Sequence, residues 1–436
     1  MPSMRPAPLL IALLWATLPV RADDWPAFRG PARDGVSREA GLPKAWPKGG
    51  PRLRWSIDTL GHGYSGPSIV GDRLYVSAAR ADDEFLLALD LTTNPPKELW
   101  ATKIGPTFTW KGNSWNRGPS ATPTVHDGAI YALGGFGDLV CADATTGKEQ
   151  WRASLPKDLG GEVNPIGGGL EEPTPLGWGY AHAPLIDGDH VICVPGGPRG
   201  LLAALDRKTG KLAWRSSDAT DRAPYASPVL ATLAGVRQVV QVTNAGLAGF
   251  DPATGKRLWA YARQPAYDDV VVAAPVIWGD LVFSSVGFGQ GCDCVRVTAA
   301  GGEGGLKADK VYSNKAVQNR DGGLVAIDGH AYGHSENRGW VCVELATGKV
   351  KWADKDVLGR GSVTAAGGML YCAAEKGGTI ALVEATPAGR KETGRLTLPR
   401  ESNQRPPSGG LWTHPVVANG RLYIRDQESL YCYELK

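Results

Sequence analysis

One eleven-residue stretch returns along the chain in register, and repetition at a spacing of a few tens of residues constrains the fold more tightly than any other signal. Ala204-Leu205-Asp206-Arg207-Lys208-Thr209-Gly210-Lys211-Leu212-Ala213-Trp214 reads as the end of a strand, a tight turn, and a strand opening on a large aromatic. Copies run from Cys141 to Trp151, Gly249 to Trp259 and Cys342 to Trp352, each with Thr-Gly-Lys shortly before the Trp. A weaker copy from Ala88 to Trp100 keeps the Asp and the Trp across a longer Thr-Thr-Asn-Pro-Pro turn.

The rest of the unit can be written from the copy that ends at Trp151. Thr122 to Val125 is a short strand and His126-Asp127-Gly128 a turn. Ala129 to Leu133 is a second strand, Leu139 to Asp143 a third, and the chain around Trp151 a fourth. Four short strands with tight connections make one antiparallel meander. The first strand opens on a small or polar residue plus proline, as in Gly66-Pro67, Ala183-Pro184, Ser227-Pro228, Ala274-Pro275 and His414-Pro415. Proline cannot donate to a ladder, so this strand needs a free edge and belongs innermost, beside a central channel.

Counting units closes the ring. Trp100, Trp151, Trp214, Trp259 and Trp352 end units, and the double-length gap before Trp352 holds an extra one with Tyr312 in the Trp position. Residues 353–397 form another, closing near Arg395-Leu396 without a Trp. The last, 398–436, stops on its third strand, whereas Pro51 to Trp55 is a fourth strand with no preceding three. Joining the two incomplete pieces removes the open edges of a linear array. The expected fold is all-β: an eight-bladed β-propeller of four-stranded antiparallel blades over 51–436, closed by an N-terminal strand that completes the last blade. Loss of Pro51 to Ile57 is therefore expected to destabilise the fold far more than loss of Asp23 to Lys44.

The turn residues have separate reasons. Asp90, Asp143, Asp206, Asp251 and Glu344 are placed to accept backbone N–H bonds within the turn. Gly147, Gly210, Gly255 and Gly348 supply its positive φ. The Trp residues offer flat area for packing blade on blade, so they are girders, not cofactor stackers.

Other segments are simpler. Met1 to Ala22 reads as a signal peptide, with Arg5 in its n-region, an apolar run, and Val20-Arg21-Ala22 as the cleavage pattern. The run is too short to span a bilayer, and no Cys stands near the cleavage site, so an exported, non-lipidated periplasmic or secreted chain is expected. Residues 23–50 show neither helical nor strand periodicity and read as an irregular arm packed on the body through Trp25, Phe28 and Trp46. Lys plus Arg (47) nearly balance Asp plus Glu (44), which favours neither nucleic acid nor an acidic membrane. Seven cysteines, several in equivalent repeat columns such as Cys141, Cys342 and Cys432, read as buried thiols in close-packed positions. Cys292-Asp293-Cys294 reads as a local pair in a Gly-rich loop, either redox-active or simply free.

Four copies of Ala/Gly/Cys-x-Asp/Glu-x-x-Thr-Gly-Lys-x-x-Trp resemble the tryptophan-docking repeat of the pyrroloquinoline-quinone (PQQ) type propellers. Trp25-Pro26-Ala27-Phe28-Arg29-Gly30-Pro31 with Arg33-Asp34-Gly35 is similar to the leader of exported bacterial members. That class includes quinoprotein dehydrogenases and the propeller lipoprotein of the outer-membrane barrel-assembly machinery. The chain is shorter than the dehydrogenases and has no adjacent Cys-Cys. The family's calcium-binding set finds no matching motif, and the lipidated Cys of the assembly protein is missing too. PQQ with calcium is what the resemblance implies as a cofactor, while nothing in the residues requires one.

Any site is expected in the unrepeated loops between blades, which share one face with the strand-two to strand-three connections. Lys103 to Gly118 carries Phe108, Trp110, Trp115, Asn116 and Arg117, and Pro156 to His182 carries Glu171, Glu172, Trp178 and Tyr180. Other blade entrances add Tyr64, Arg222, Tyr225, Asp268, Asp269, Arg320, Arg360 and Trp412. Arg117, Trp178, Tyr225, Arg320, Arg360 and Trp412 are the residues expected to meet in a funnel, suited to a flat anionic ligand or a peptide segment. Pairing of the arginines with nearby carboxylates is the competing expectation. His330 and His334, four apart on a strand-and-loop segment, are not expected to share a face, and no catalytic motif is visible. The leading function is thus an exported scaffold that binds a protein, peptide or envelope component. The alternative is a PQQ-binding or quinone-dependent oxidoreductase.

Overall fold

The computed structural model describes residues 24–165, 176–267, 270–301, 305–320, 322–355 and 357–436. Among them the chain forms eight antiparallel four-stranded blades and no α-helix, and one blade carries an added parallel strand. The signal-peptide segment lies outside the described residues. Blade 1 comprises Ser68–Val70, Arg73–Arg80, Asp83–Asp90 and Lys97–Pro106 in spatial order. Blades 2 to 7 repeat that order, with innermost strands starting at Thr124, Leu185, Val229, Val276, Leu324 and Gly361. In blade 8, Val416–Ala418, Arg421–Asp426 and Ser429–Glu434 are joined on the outside by Leu53–Ile57. The ring is an eight-bladed β-propeller closed by strand exchange between the two ends of the sequence.

The proline-led strands are innermost, and neighbouring ones lie against each other around the channel. Each proline carbonyl still needs a donor. At Pro123, Pro184 and Pro415 a hydroxyl of the preceding blade supplies it: Ser68 Oγ, Thr124 Oγ1 and Thr364 Oγ1 each donate at 2.6 Å.

The tryptophan fastener works through the next blade's turn. Trp100, Trp151, Trp214 and Trp352 donate their indole N–H to the turn carbonyls of Thr145, Arg207, Pro252 and Thr386, at 2.8–3.1 Å. The turn glycine has two jobs. Gly147 and Gly210 take φ of 73° and 70°, and a Cβ there would stand only 2.5 and 2.7 Å from Trp100 and Trp151. A side chain would therefore lift the indole off its seat as well as strain the turn. The acidic residue behaves as its position implies: Asp143 Oδ1 accepts the Thr145 and Thr146 N–H groups, which hold its carboxyl below the usual range. Tyr312 occupies the Trp position of blade 5 opposite Cys294, and the Gly348 turn packs on it.

Blade 7 lacks a Trp, and the arm supplies one. Gly394 stands opposite Leu382, just before the register shift, where the other blades place their aromatic. Trp46 fills the space that this glycine leaves: a Cβ on Gly394 would lie 2.6 Å from Trp46 Cβ. The Trp46 ring meets Tyr371 at 5.8 Å, as Trp151 meets Tyr131 at 6.0 Å within blade 2.

The arm is more deeply integrated than its irregular sequence implies. Asp24 accepts the Gly71 N–H in a tight turn, and Trp25 pairs with Ile69 on the inner strand of blade 1. Arg33 donates to Ala183 O and Pro184 O, and Arg29 to Asp34 O. Val36–Ser37 then pairs in parallel with Ala365–Ala366 of blade 7. The segment thus closes the channel from the tight-turn side. With Trp25, Arg29, Arg33 and Trp46 all buried, removal of the arm is costly too, so the expected contrast with loss of residues 51–57 narrows.

Trp46→Ala should lower unfolding stability by about 3–5 kcal/mol, the cost of truncating a buried Trp. Denaturant midpoints at constant m-value check this, and a loss below about 1 kcal/mol would show that Trp46 is not the seventh fastener.

Candidate functional site

The channel remains open on the loop-rich face, where it forms a cup of about 170 Å³. Its mouth is aromatic. Tyr64 and Trp412 meet at 4.8 Å between ring centres, Trp115 and Trp178 at 6.3 Å, and Trp178 and Tyr225 at 5.4 Å. Val270, Val272 and Phe288 extend the wall, and the arm provides the floor through Trp25, Phe28 and Arg29.

Most polar ends of these rings are already spent on holding the loops. Tyr64 Oη donates to Trp115 O at 3.0 Å, and Tyr225 Oη donates to Asn164 O at 2.8 Å while accepting the Trp178 N–H. Trp412 Nε1 donates to Glu375 Oε1 at 3.0 Å. Asn116 Nδ2 reaches Trp178 O at 3.1 Å, joining two long loops. The faces of the rings are what the cup presents.

Four of the six expected funnel residues line the cup: Trp178, Tyr225, Arg320 and Trp412. The Arg320 guanidinium lies 4.3 Å over the Phe288 ring and 3.6 Å from Glu336. Arg360 is drawn aside by Glu375, with Nη2 to Oε1 at 2.8 Å, so it braces the carboxylate that holds Trp412. Arg117 is exposed and reaches Ala81 O at 3.3 Å. Glu171, Glu172, Asp268 and Asp269 lie outside the described residues. The floor residues Trp25, Phe28 and Arg29, and His414 beside them, carry no sequence signal of a site, because only the closed ring brings them together.

Three further expectations change. The strand Lys97–Pro106 contains Lys103, so the first long loop begins at Thr107. Cys292, Asp293 and Cys294 belong to the strand Gly291–Ala299, not to a loop. Both thiols are buried and free, and burial pushes them up to about 12 and about 11, so neither is primed to react. Asp293, on the opposite side, accepts from Arg263, Tyr261 and Tyr267 at 2.8, 3.1 and 2.6 Å. His330 and His334 share one strand, His330–Ser335. Alternation puts them on the same side, but roughly 13 Å apart along an extended chain, too far for one metal.

The donor set bears on calcium-bound PQQ. Calcium takes about six to eight oxygen ligands, usually with carboxylates among them. No carboxylate among the described residues lines the cup, and no described group of three or more His, Cys, Asp or Glu is placed to hold a metal. The described wall does not fit that group.

One buried carboxyl controls the loop that carries Trp115 and Asn116. Glu84 is fully buried and accepts the N–H groups of Phe108 at 3.0 Å and Gly135 at 2.9 Å. Burial pushes it from 4.5 up to about 7, only partly offset by those two donors. The folded state therefore binds the proton more tightly than the unfolded chain. Its contribution to stability is full below about 4.5 and is lost as pH rises through about 7. Glu84→Gln should flatten the pH dependence of the urea midpoint over that window, and an unchanged slope would assign it to other groups.

A family model described as outer membrane protein assembly factor BamB matches residues 93–354. Among curated proteins, 1-butanol dehydrogenase (quinone) of Thauera butanivorans is 28% identical over 39% of this chain and 25% of its own length. The lanthanide-dependent methanol dehydrogenase of Methylacidiphilum fumariolicum is 32% identical over 37% of this chain and 25% of its own length. The chain thus matches about a quarter of the length of these relatives. Two solved structures share the fold: BamB from Moraxella catarrhalis, with a TM-score of 0.59, 16% identity and cover of 88% of this chain and 98% of that one, and a quinohemoprotein alcohol dehydrogenase from Comamonas testosteroni, with 0.60, 14%, 94% and 80%. Since the family model spans more than half of the sequence, the chain belongs to the propeller family described as outer membrane protein assembly factor BamB.

Proposed function

We propose that the protein is an exported binding propeller whose loop-rich face receives a segment of a partner protein. The observation that carries this reading is the aromatic cup, closed beneath by the arm. Rigid rings with fixed rotamers give contact area at low entropic cost, the property of anchor pockets at protein interfaces. At about 170 Å³ the cup is below the roughly 300–1,000 Å³ of pockets that enclose drug-sized ligands, so it suits one inserted side chain. The BamB family membership supports the same reading. Export is part of the proposal, and it rests on the Met1 to Ala22 segment.

A second reading, a quinone-binding or quinone-dependent protein, is favoured by the curated dehydrogenase relatives. Arg320 on the wall and Arg29 on the floor are the cations of the described lining that would face an acidic cofactor, and such a cofactor would supply two-electron oxidation chemistry. The lack of a carboxylate among the described residues of that wall weighs against it.

Panning a random-peptide library on the purified protein separates the readings. Enriched peptides should weaken by roughly tenfold or more against Trp178→Ala and Trp412→Ala. Peptides indifferent to both substitutions, together with co-elution of PQQ and Ca²⁺ in gel filtration, would contradict the binding-propeller reading.

A further inference from the structure

The inner strands carry a free edge whose use can be read blade by blade. Where a tight hairpin closes, the closing pair exchanges its backbone bonds, so the residue before it turns its N–H and C=O away from the ladder and into the channel. In blade 1 that residue is Ile69, and it exchanges both bonds with Trp25 of the arm at 2.8 Å. In blade 2 it is Val125, whose N–H donates to Pro26 O at 2.8 Å. In blade 7 it is Ala365, whose N–H donates to Gly35 O at 2.8 Å. All three are buried under the arm.

The same register leaves blades 4 to 6 open. Thr232, Ile277 and Ala326 precede the closing pairs Leu233–Val236, Trp278–Leu281 and Ile327–His330. Among the described residues no arm backbone bonds to them, and none of the three is buried. Beside them lies a groove of about 450 Å³, with Arg33, Asp34 and Arg38 of the arm among its lining and Leu230, Ile277 and Ala326 across from them. Arg38 and Asp34 neutralise each other at 2.6 Å, and Arg33 is spent on Ala183 O and Pro184 O. Asp328 adds one carboxylate to a lining that is otherwise apolar side chains and backbone. Trp278 stands at the groove 39% exposed, its ring near the Gly329 turn of blade 6.

The arm shows what such an edge takes. Trp25 and Pro26 are consecutive, and they bond the equivalent residues of consecutive blades. A segment crossing the inner strands thus spends one residue per blade, extended, with its backbone groups presented sideways. Main-chain bonds of this kind give affinity, and the side-chain surface beside them gives choice. A solvent-exposed Trp next to an apolar groove is a common anchor for a partner. The geometry points to the groove under blades 4 to 6 as a second docking surface, taking an extended, apolar, non-acidic segment of a partner protein that pairs across Ile277 and Ala326 as the arm pairs across Ile69 and Val125. The residue facing Ile277 is not proline, which lacks the N–H that Trp25 gives to Ile69. This surface is on the tight-turn face, away from the cup and independent of it.

Panning a random-peptide library on the full chain carrying Trp412→Ala, with counter-selection on the chain that also carries Trp278→Ala, separates groove binders from cup binders. Recovered peptides should hold an apolar run and bind the wild-type chain roughly tenfold or more tightly than Trp278→Ala. N-methylation of one central amide should cost a similar factor, because it leaves the Ile277 carbonyl unpaired. Hydrogen exchange read at single residues should find the Ile277 and Ala326 amides open in the free chain and protected with peptide bound, with Ile69, Val125 and Ala365 protected in both. Ile277→Pro removes the groove-facing N–H without breaking a ladder bond, and in a chain that passes a thermal melt it should weaken the same peptides. Four results would overturn the assignment: no peptide that depends on Trp278, peptides that tolerate N-methylation at every position, an Ile277 amide as protected as Ile69 in the free chain, or self-association through Trp278 in sedimentation, which gives the groove to a second copy.

Discussion

The contact on which the ring depends is an indole lying over a glycine of the neighbouring blade. It joins a long-range hydrogen bond, such as Trp151 Nε1 to Arg207 O at 2.9 Å, to close packing that tolerates no Cβ. Because each blade fastens to the next, stability is shared as in other repeat arrays, and a weak joint anywhere opens an edge. Several joints lack the standard parts, and two of them show how the chain compensates. Blade 5 presents no Thr-Gly-Lys turn, and Trp259 turns instead to Gln238 of its own blade. Blade 7 has Gly394 where a Trp belongs, and the arm brings Trp46 to it.

The arm therefore links fold to site. It enters at the tight-turn side, pairs with the inner strand of blade 1, and leaves along the inner strand of blade 7. On the way it buries Arg29 and Arg33, whose guanidiniums bond backbone carbonyls and are lowered by desolvation to about 10 and about 9. The same residues that plug the channel become the base of the cup. A propeller with this arm has a pocket closed at one end, which favours an inserted side chain over a threaded strand.

The architecture was legible in the sequence because it is repeated. Asp206, Gly210 and Trp214 each have counterparts in other blades, so one physical explanation accounts for all copies, and the eight-blade count follows from the incomplete ends. The site was only half legible. Trp178, Tyr225, Arg320 and Trp412 were recognisable as aromatics and cations in long loops, and they do line the cup. Arg360 and Arg117 look the same in sequence, yet one is held by Glu375 and the other reaches a backbone carbonyl at the surface. Pairing of that kind depends on which strand end lies opposite, which no local pattern encodes. Phe28, Arg29 and His414 lie hundreds of residues apart in part, and only ring closure makes them neighbours.

The central claim is that residues 24–46 are a working part of the ring and the base of its cup. Amide hydrogen exchange on the full chain and on a chain lacking that segment tests it most directly. The account predicts lost protection in Ser68–Val70, Thr124–His126, Gly361–Ala366 and Glu392–Thr397, four of the strands that the arm touches. Unchanged protection in those four strands would contradict it.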